Sequence, residues 1–174
     1  MDQPTIKTER LLLRPFTLTD AKNVQKFAGN INVSKTTLNI PHPYSDGTAE
    51  EWIKTHQKNW HSKSEITYAI TISNTSLLIG AISLISIKDN QAEIGYWIGE
   101  PFWGNGYCTE STKAIIKFSF SQLGLNYLLA EHLSSNPASG KVMKNAGMVH
   151  AKSSKTKDRY GKIVDKEIYE IKNF

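Results

Sequence analysis

The stretch from Ile66 to Ile98 restricts the fold more than any other part of the chain. Ile66, Tyr68, Ile70 and Ile72 recur at every second position, the period of a strand. Asn74-Thr75 is a turn, Leu77 to Ile87 is a long second strand, Asp89-Asn90 is another turn, and Glu93 to Ile98 is a third strand. Three strands joined by such short turns pair as an antiparallel meander. The period then changes. After Gly104 and Gly106 the residues from Thr109 to Leu123 carry Ile115, Ile116, Phe118 and Phe120 in a helical stretch, with Gly124 as its stop. Tyr127 to Leu133 is a buried strand. The strand–helix–strand unit over residues 93–133 is therefore expected to be a right-handed parallel crossover, and the meander plus crossover predict an α+β fold with a mixed sheet.

The flanks complete this sheet. Leu11-Leu12-Leu13 with Arg14 reads as a first strand, which Pro15 ends or places at an edge. Thr17 with Asp20 resembles a capping box opening a short helix to about Ala28. Residues 29–47, with Pro41, Pro43 and Gly47, read as irregular. Thr48 with Glu51 forms a second box, and Trp52, Ile53, His56 and Trp60 predict an amphipathic helix to about Ser62. Asn136-Pro137 opens a short helix that Gly147 ends. Two strands follow, at about 148–153 and 162–171, joined by a loop around Tyr160-Gly161. The expected total is about seven strands and about four helices. With no internal repeat or long linker, 174 residues suit one domain over 1–174.

Composition narrows the function classes. A hydrophobic fraction of 39% and a charged fraction of 21% are ordinary for a globular chain. The net charge of +5 and pI near 9.2 favour anionic ligands. However, no Lys/Arg run of five occurs, and the densest basic stretch, Lys152 to Lys162, also holds Asp158, so nucleic acid is not the expected direct partner. The single cysteine, Cys108, excludes an internal disulfide and suits a reducing compartment. No signal-like run and no membrane-length apolar segment appear, so the expected location is the cytoplasm. The five histidines show no ligand spacing, with His56 and His61 on different helix faces, and no metal is expected.

The turn Trp103-Gly104-Asn105-Gly106-Tyr107-Cys108 lies between a strand and a helix. Such a turn offers free backbone N–H groups and the positive end of a helix dipole, and glycines let an anion approach closely. It is not a P-loop, which needs Gly-Lys-Ser/Thr, and it lacks the third glycine of a dinucleotide fingerprint because Thr109 stands there. From Gly-Asn-Gly alone, a loop that merely needs two flexible residues remains an alternative.

Trp103 to Glu110 resembles the pyrophosphate loop of the GNAT superfamily of acyl-CoA N-acyltransferases, with its ribosomal-protein N-terminal (alanine/serine) acetyltransferase-like branch the nearest. Gly106 fills the middle glycine of Arg/Gln-x-x-Gly-x-Gly/Ala, while Trp103 and Cys108 depart from it. Thr8 to Pro15 resembles the family's opening strand, Gly95-Tyr96-Trp97-Ile98 its fourth strand, and Asn136-Pro137-Ala138-Ser139 with Gly147-Met148 its Asn-x-x-Ser and terminal segment. The order of these segments spans nearly the whole chain.

The resemblance implies a sheet splayed between its fourth and fifth strands by a bulge in the fourth. It implies an acetyl-CoA co-substrate held by Trp97, Ile98, Trp103, Gly104, Asn105, Gly106, Tyr107, Cys108, Thr109 and Asn136. It also implies transfer of acetyl to a primary amine, on a peptide or ribosomal-protein N-terminus or a small molecule, by direct attack on the thioester. Asn136 would contact the pantetheine arm or cap its helix. Many members carry a tyrosine seven residues after that asparagine, where Met143 stands here, so Ser139 is expected to protonate or hydrogen-bond the leaving thiolate. The alternative is an exposed helix serine. Glu93 is expected as the base, with a surface strand residue as the alternative and Asp165 and Glu167 as rivals. For Trp97 and Ile98 the alternative is core packing. Cys108, beside a helix N-terminus, is expected to have a lowered pKa but no covalent role. Acceptor choice is expected to rest on residues 29–47, the following helix and the loop at 158–161, with Tyr44, Trp52 and Trp60 as lining or core. Two other readings stay open: a non-catalytic acyl-CoA-binding or regulatory domain, and a basic nucleic-acid or ribosome-binding module. A homo-oligomer is compatible with all three.

Overall fold

A computed structural model describes residues 2–173. The strands are β1 (Ile6–Lys7), β2 (Leu11–Arg14), β3 (Ile66–Ile72), β4 (Leu78–Lys88), β5 (Gln91–Ile98), β6 (Tyr127–Leu133), β7 (Val149–Lys157) and β8 (Ile163–Lys172). The helices are α1 (Ala21–Ala28), α2 (Ile31–Lys35), α3 (Thr48–Ser62), α4 (Tyr107–Ser121) and α5 (Pro137–Asn145). The sheet order is β1-β2-β3-β4-β5-β6-β8-β7, and among the described residues only β5 and β6 pair in parallel. The expected α+β mixed sheet with its meander and parallel crossover is therefore present.

The differences are local. The eighth strand, β1, is two residues long and pairs Ile6 with Leu13 at the sheet edge, too short to leave a periodic signature. Within the supposedly irregular 29–47, the Asn30 side chain accepts from the Asn32 N–H at 2.7 Å and starts α2. The Thr48/Glu51 box does not form: Gly47, at φ 82°, occupies the cap position and Thr48 is already helical. At Thr17 the box does form, the Asp20 carboxylate accepting from the Thr17 N–H at 2.8 Å, but it opens a 3-10 turn before α1. β7 runs to Lys157 because its polar residues pair with β8 although they carry no apolar pattern. α5 ends as expected. Gly147 at φ 94° closes it, with Gly147 N–H on Lys144 O and Met148 N–H on Met143 O, both at 3.0 Å.

The splay is present, without the expected bulge. β5 pairs with β6 only from Gln91↔Tyr127 to Ile94↔Ala130, although both strands continue, to Ile98 and Leu133. β5 itself stays in register with β4 from Glu93 to Ile98, and Gly99 N–H holds Ile79 O at 2.8 Å, so the end of β5 follows β4 away from β6. The irregularity sits on β4 instead, between Ile85 and Lys88, where Ser86 has φ 54°.

Two cores hold the sheet between helical layers. Tyr68, Ile82, Ile94, Ile115 and Leu128 pack on the face covered by α4 and α5. Val24, Phe27, Ile53, Ala69 and Leu78 pack on the face covered by α1 and α3, with Trp97 against them. A part-buried ion pair ties β2 to the start of α1, the Arg14 guanidinium gripping both Asp20 oxygens at 2.7 and 2.8 Å.

Candidate active site

A cavity of about 610 Å³ opens where β5 and β6 part. Residues from β5, the 103–109 turn, β6, α5 and the segment after α2 line it. Of the residues expected in the site, it brings together Glu93, Trp97, Ile98, Trp103, Gly104, Gly106, Tyr107, Cys108, Thr109, Asn136 and Ser139. Asn105 is the exception. Its side chain turns back to donate to Phe102 O at 3.1 Å and Trp103 O at 3.0 Å, bracing the turn from within rather than facing the cavity.

The turn has the geometry of an anion cradle. Gly104 and Gly106 adopt φ 77° and 78°, a left-handed conformation that side chains disfavour. Gly106 caps α4 without a side-chain bond, and the first helical bond runs from Glu110 N–H to Gly106 O. The N–H groups of Tyr107, Cys108 and Thr109 thus lie outside the helical ladder. Trp103, where the family motif has Arg or Gln, donates its indole N–H to Ile98 O at 2.6 Å and ties the turn to β5. A cation nonetheless reaches the turn. Arg10 donates to Asn105 O at 3.0 Å, lies over the Tyr107 ring at 4.7 Å, and has Nη2 3.5 Å from where a Gly106 Cβ would stand. Glu110 holds it, accepting from Arg10 N–H, Arg10 Nε and the Thr8 hydroxyl. Burial raises the Glu110 carboxyl, but those bonds outweigh it and hold the group below its ordinary range. Sequence reading missed Arg10 because nothing local to Thr8-Glu9-Arg10 signals a partner near position 105.

The β strands assign the chemistry to two faces. Ala92, Ile94 and Ile98 point into the α4/α5 core, whereas Glu93 and Trp97 point to the α1/α3 face. The Ile98 side chain is thus core, and its carbonyl reaches the gap side through Trp103. Glu93 is half-buried rather than a surface strand residue. Burial raises its carboxyl, the nearby Glu131 raises it further, and Lys166 pulls it back. Glu131 and Lys166 join in an ion pair at 2.5 Å. The rival Glu167 is occupied elsewhere, accepting from His150, Ser153 and Ser134 at 2.6–2.8 Å in a separate hollow beside α5. Asp165 does not line the central cavity.

On the α4/α5 side, Ser139 is buried rather than an exposed helix serine. Its hydroxyl lies 2.9 Å from the Tyr96 hydroxyl, which also reaches Ser139 O at 3.1 Å. Burial raises the Tyr96 phenol well above its ordinary value, so it remains protonated. Tyr96 was legible only as part of Gly95-Tyr96-Trp97-Ile98, and no local pattern pairs it with residue 139. Met143, also buried, lies in the core. Asn136 does not cap α5 with its side chain, which instead donates to Thr36 O at 3.4 Å across the cavity. Cys108 departs from expectation: burial pushes its thiol up to about 12, with a Thr112 hydrogen bond offsetting only part of the rise, so it is a neutral thiol. The β7–β8 hairpin reaches the same cavity wall. Arg159 donates to Ser34 O at 2.7 Å, Thr37 O at 3.0 Å, the Ser34 hydroxyl and Ile40 O, pinning the segment after α2. Trp52 lines the cavity, whereas Tyr44 and Trp60 pack against the cores.

α5 depends on one close approach. A Cβ on Gly140 would stand 2.6 Å from Nε2 of buried His132 on β6. Gly140→Ala is therefore expected to destabilise the chain by ~1–3 kcal/mol, measured by denaturant unfolding, through overpacking of the helix that carries Ser139.

A family profile described as "Acetyltransferase (GNAT) domain" matches residues 10–149. The uncharacterised N-acetyltransferase YoaA of Bacillus subtilis (strain 168) is 30% identical over 146 residues, 83% of this chain and 82% of that protein. The solved ribosomal-protein-S5-alanine acetyltransferase of Vibrio fischeri superposes with a TM-score of 0.86 at 16% identity, over 98% of this chain and 97% of that one. The spermidine N-acetyltransferase of Vibrio cholerae, solved with CoA and spermine, gives 0.80 at 20% identity over 95% and 96%. The chain belongs to the GNAT acetyltransferase family.

Proposed function

We propose that the chain, as one catalytic domain over 1–174, transfers acetyl from acetyl-CoA to a primary amine by direct attack of the amine on the thioester. The observation that carries this reading is the gap between β5 and β6. It joins the anion cradle at Gly104–Thr109 to a half-buried carboxylate, Glu93, on one face and a buried hydroxyl, Ser139, on the other. The free N–H groups at the start of α4, with Arg10 beside them, suit a pyrophosphate. Acetyl-CoA is thus the donor that fits, and CoA is present in the solved spermidine acetyltransferase of this fold.

The chemistry follows from the two faces. An amine must lose a proton to attack, and a carboxylate raised toward working pH accepts it efficiently, the part given to Glu93. A departing thiolate has a pKa near ~8.5 and needs only a hydrogen bond, the part given to Ser139. When Tyr96 turns its single phenol proton from Ser139 O to the Ser139 hydroxyl, it holds that hydroxyl in place and leaves the serine proton for the sulfur. The neutral Cys108 thiol favours direct transfer over an acetyl-cysteine. The acceptor in this reading is a peptide N-terminus or a small amine, a ribosomal protein among the former, in a cytoplasmic setting.

Ser139→Ala and Tyr96→Phe are each expected to lower kcat by ~10-fold at saturating acetyl-CoA, with acetyl-CoA affinity retained; the double variant should lose no more than Ser139→Ala alone. Unchanged kcat in Ser139→Ala removes this role. The reading as a whole is tested by following free thiol release from acetyl-CoA against a panel of peptides and amines. Tight acetyl-CoA binding without amine-dependent release favours a non-catalytic acyl-CoA-binding domain instead.

A further inference from the structure

The acceptor side of the cavity has an unusual charge inventory. Glu93 and Trp97 face it from β5. The parallel register places Glu93 beside Leu129, so Glu131 and Leu133, at alternate positions of β6, share that face. Lys166 pairs with Leu133 across β6 and β8 and joins them. Two carboxylates therefore point into the chamber, yet one of them is already neutralised: Lys166 Nζ donates to Glu131 Oε2 at 2.5 Å, and both side chains are largely buried. The other cation that lines the cavity, Lys141, comes from α5, and Arg159, behind the wall, is committed to the carbonyls of Ser34, Thr37 and Ile40 and to a hydroxyl. The remaining wall is mainly apolar or uncharged, from Val33, Leu38, Ile40, Trp52, Ser83 and Ile85.

Building on the acetyltransferase reading, we infer that the Glu131–Lys166 ion pair sets the acceptor's charge: the chamber takes a monoamine whose body carries no second cation and discriminates against diamines and polyamines. One ammonium group enters to meet Glu93 and gives up its proton there. A second ammonium on the same molecule finds no carboxylate that is not already paired, and burying it unpaired is costly. Glu131 and Lys166 are thus specificity-determining residues, separate from the groups that handle the reacting atoms.

The test compares n-pentylamine with cadaverine, which has the same carbon chain and a second amine. Wild-type protein is expected to favour pentylamine in kcat/KM by ~10-fold or more. Lys166→Gln, which leaves Glu131 free to receive a second ammonium, is expected to move that ratio toward cadaverine by ~10-fold. The double variant Glu131→Gln/Lys166→Gln, which has no carboxylate at 131 and no charge to orphan, should return to the wild-type preference and serves if the single variant folds poorly. Equal or better use of cadaverine by wild type overturns the inference. So does an unshifted ratio in Lys166→Gln, or a cadaverine preference in the double variant. If acetyl-CoA binds and no amine releases CoA in wild type, the parent acetyltransferase reading fails instead, a different outcome from any change in ratio.

Discussion

Replacing Glu93 by Gln is expected to lower kcat by about two to four orders of magnitude while leaving acetyl-CoA affinity intact. The substitution keeps the shape of the side chain and removes only its capacity to take a proton. Glu93 sits on β5 beside the gap, half-buried, with its carboxyl raised by burial and by Glu131. A base works in its ionised form, so the wild-type rate should fall as pH drops through that raised pKa. In Glu93→Gln this acid limb should vanish along with most of the rate. A variant with wild-type kcat and the wild-type pH profile would assign the proton to another acceptor. Acetyl-CoA titration of the same variant separates the two possibilities, because a collapsed cavity loses binding and a missing base does not.

The second large effect concerns stability. Asp20→Ala is expected to destabilise the fold by ~3–5 kcal/mol in denaturant unfolding, because it leaves the Arg14 guanidinium partly buried without its partner. Asp20 is 5% exposed and accepts from both terminal nitrogens of Arg14 and from the Thr17 N–H. Burial alone raises its carboxyl, but the Arg14 bonds and the Thr17 N–H more than offset this and bring it below the usual carboxylate range. The sign of the pH dependence follows. A depressed folded pKa contributes stability that is complete above the unfolded value near ~4 and is lost as pH falls through the folded value. Asp20→Ala should lack that loss at low pH. The pair joins β2 to the start of α1, so the variant should also loosen the packing of α1 on the sheet.

Sequence reading reached the fold through periodicity. Over β3, Ile66, Tyr68 and Ile70 fill one core while the smaller Thr67, Ala69 and Thr71 are buried on the other face, which gives the alternation, and turns such as Asp89-Asn90 carry the positive φ that a tight hairpin requires. It failed where pattern carries no information. β1 has two residues, α2 has five, and the outer half of β7 is lysine, serine and threonine paired with one neighbour only. The site was legible as far as its segments resemble a family whose segments are contiguous: the Gly104–Thr109 turn, the end of β5 and the Asn136–Ser139 corner. What could not be read were contacts that the fold makes between distant segments. Arg10 at the turn, Tyr96 on Ser139, Glu131 with Lys166, and Arg159 on the segment after α2 each join positions tens of residues apart. The Cys108 thiol was misjudged from its motif, because a helix N-terminus is expected to lower a thiol pKa whereas burial, which no local pattern reveals, raises this one.

The most direct test of the central claim is to incubate the protein with acetyl-CoA and a monoamine and to measure both free CoA and the mass of the amine. Transfer predicts CoA released one-to-one with an N-acetylated amine, lost in Glu93→Gln. Binding of acetyl-CoA with no acetylated amine, or CoA release without an acetylated product, would contradict it.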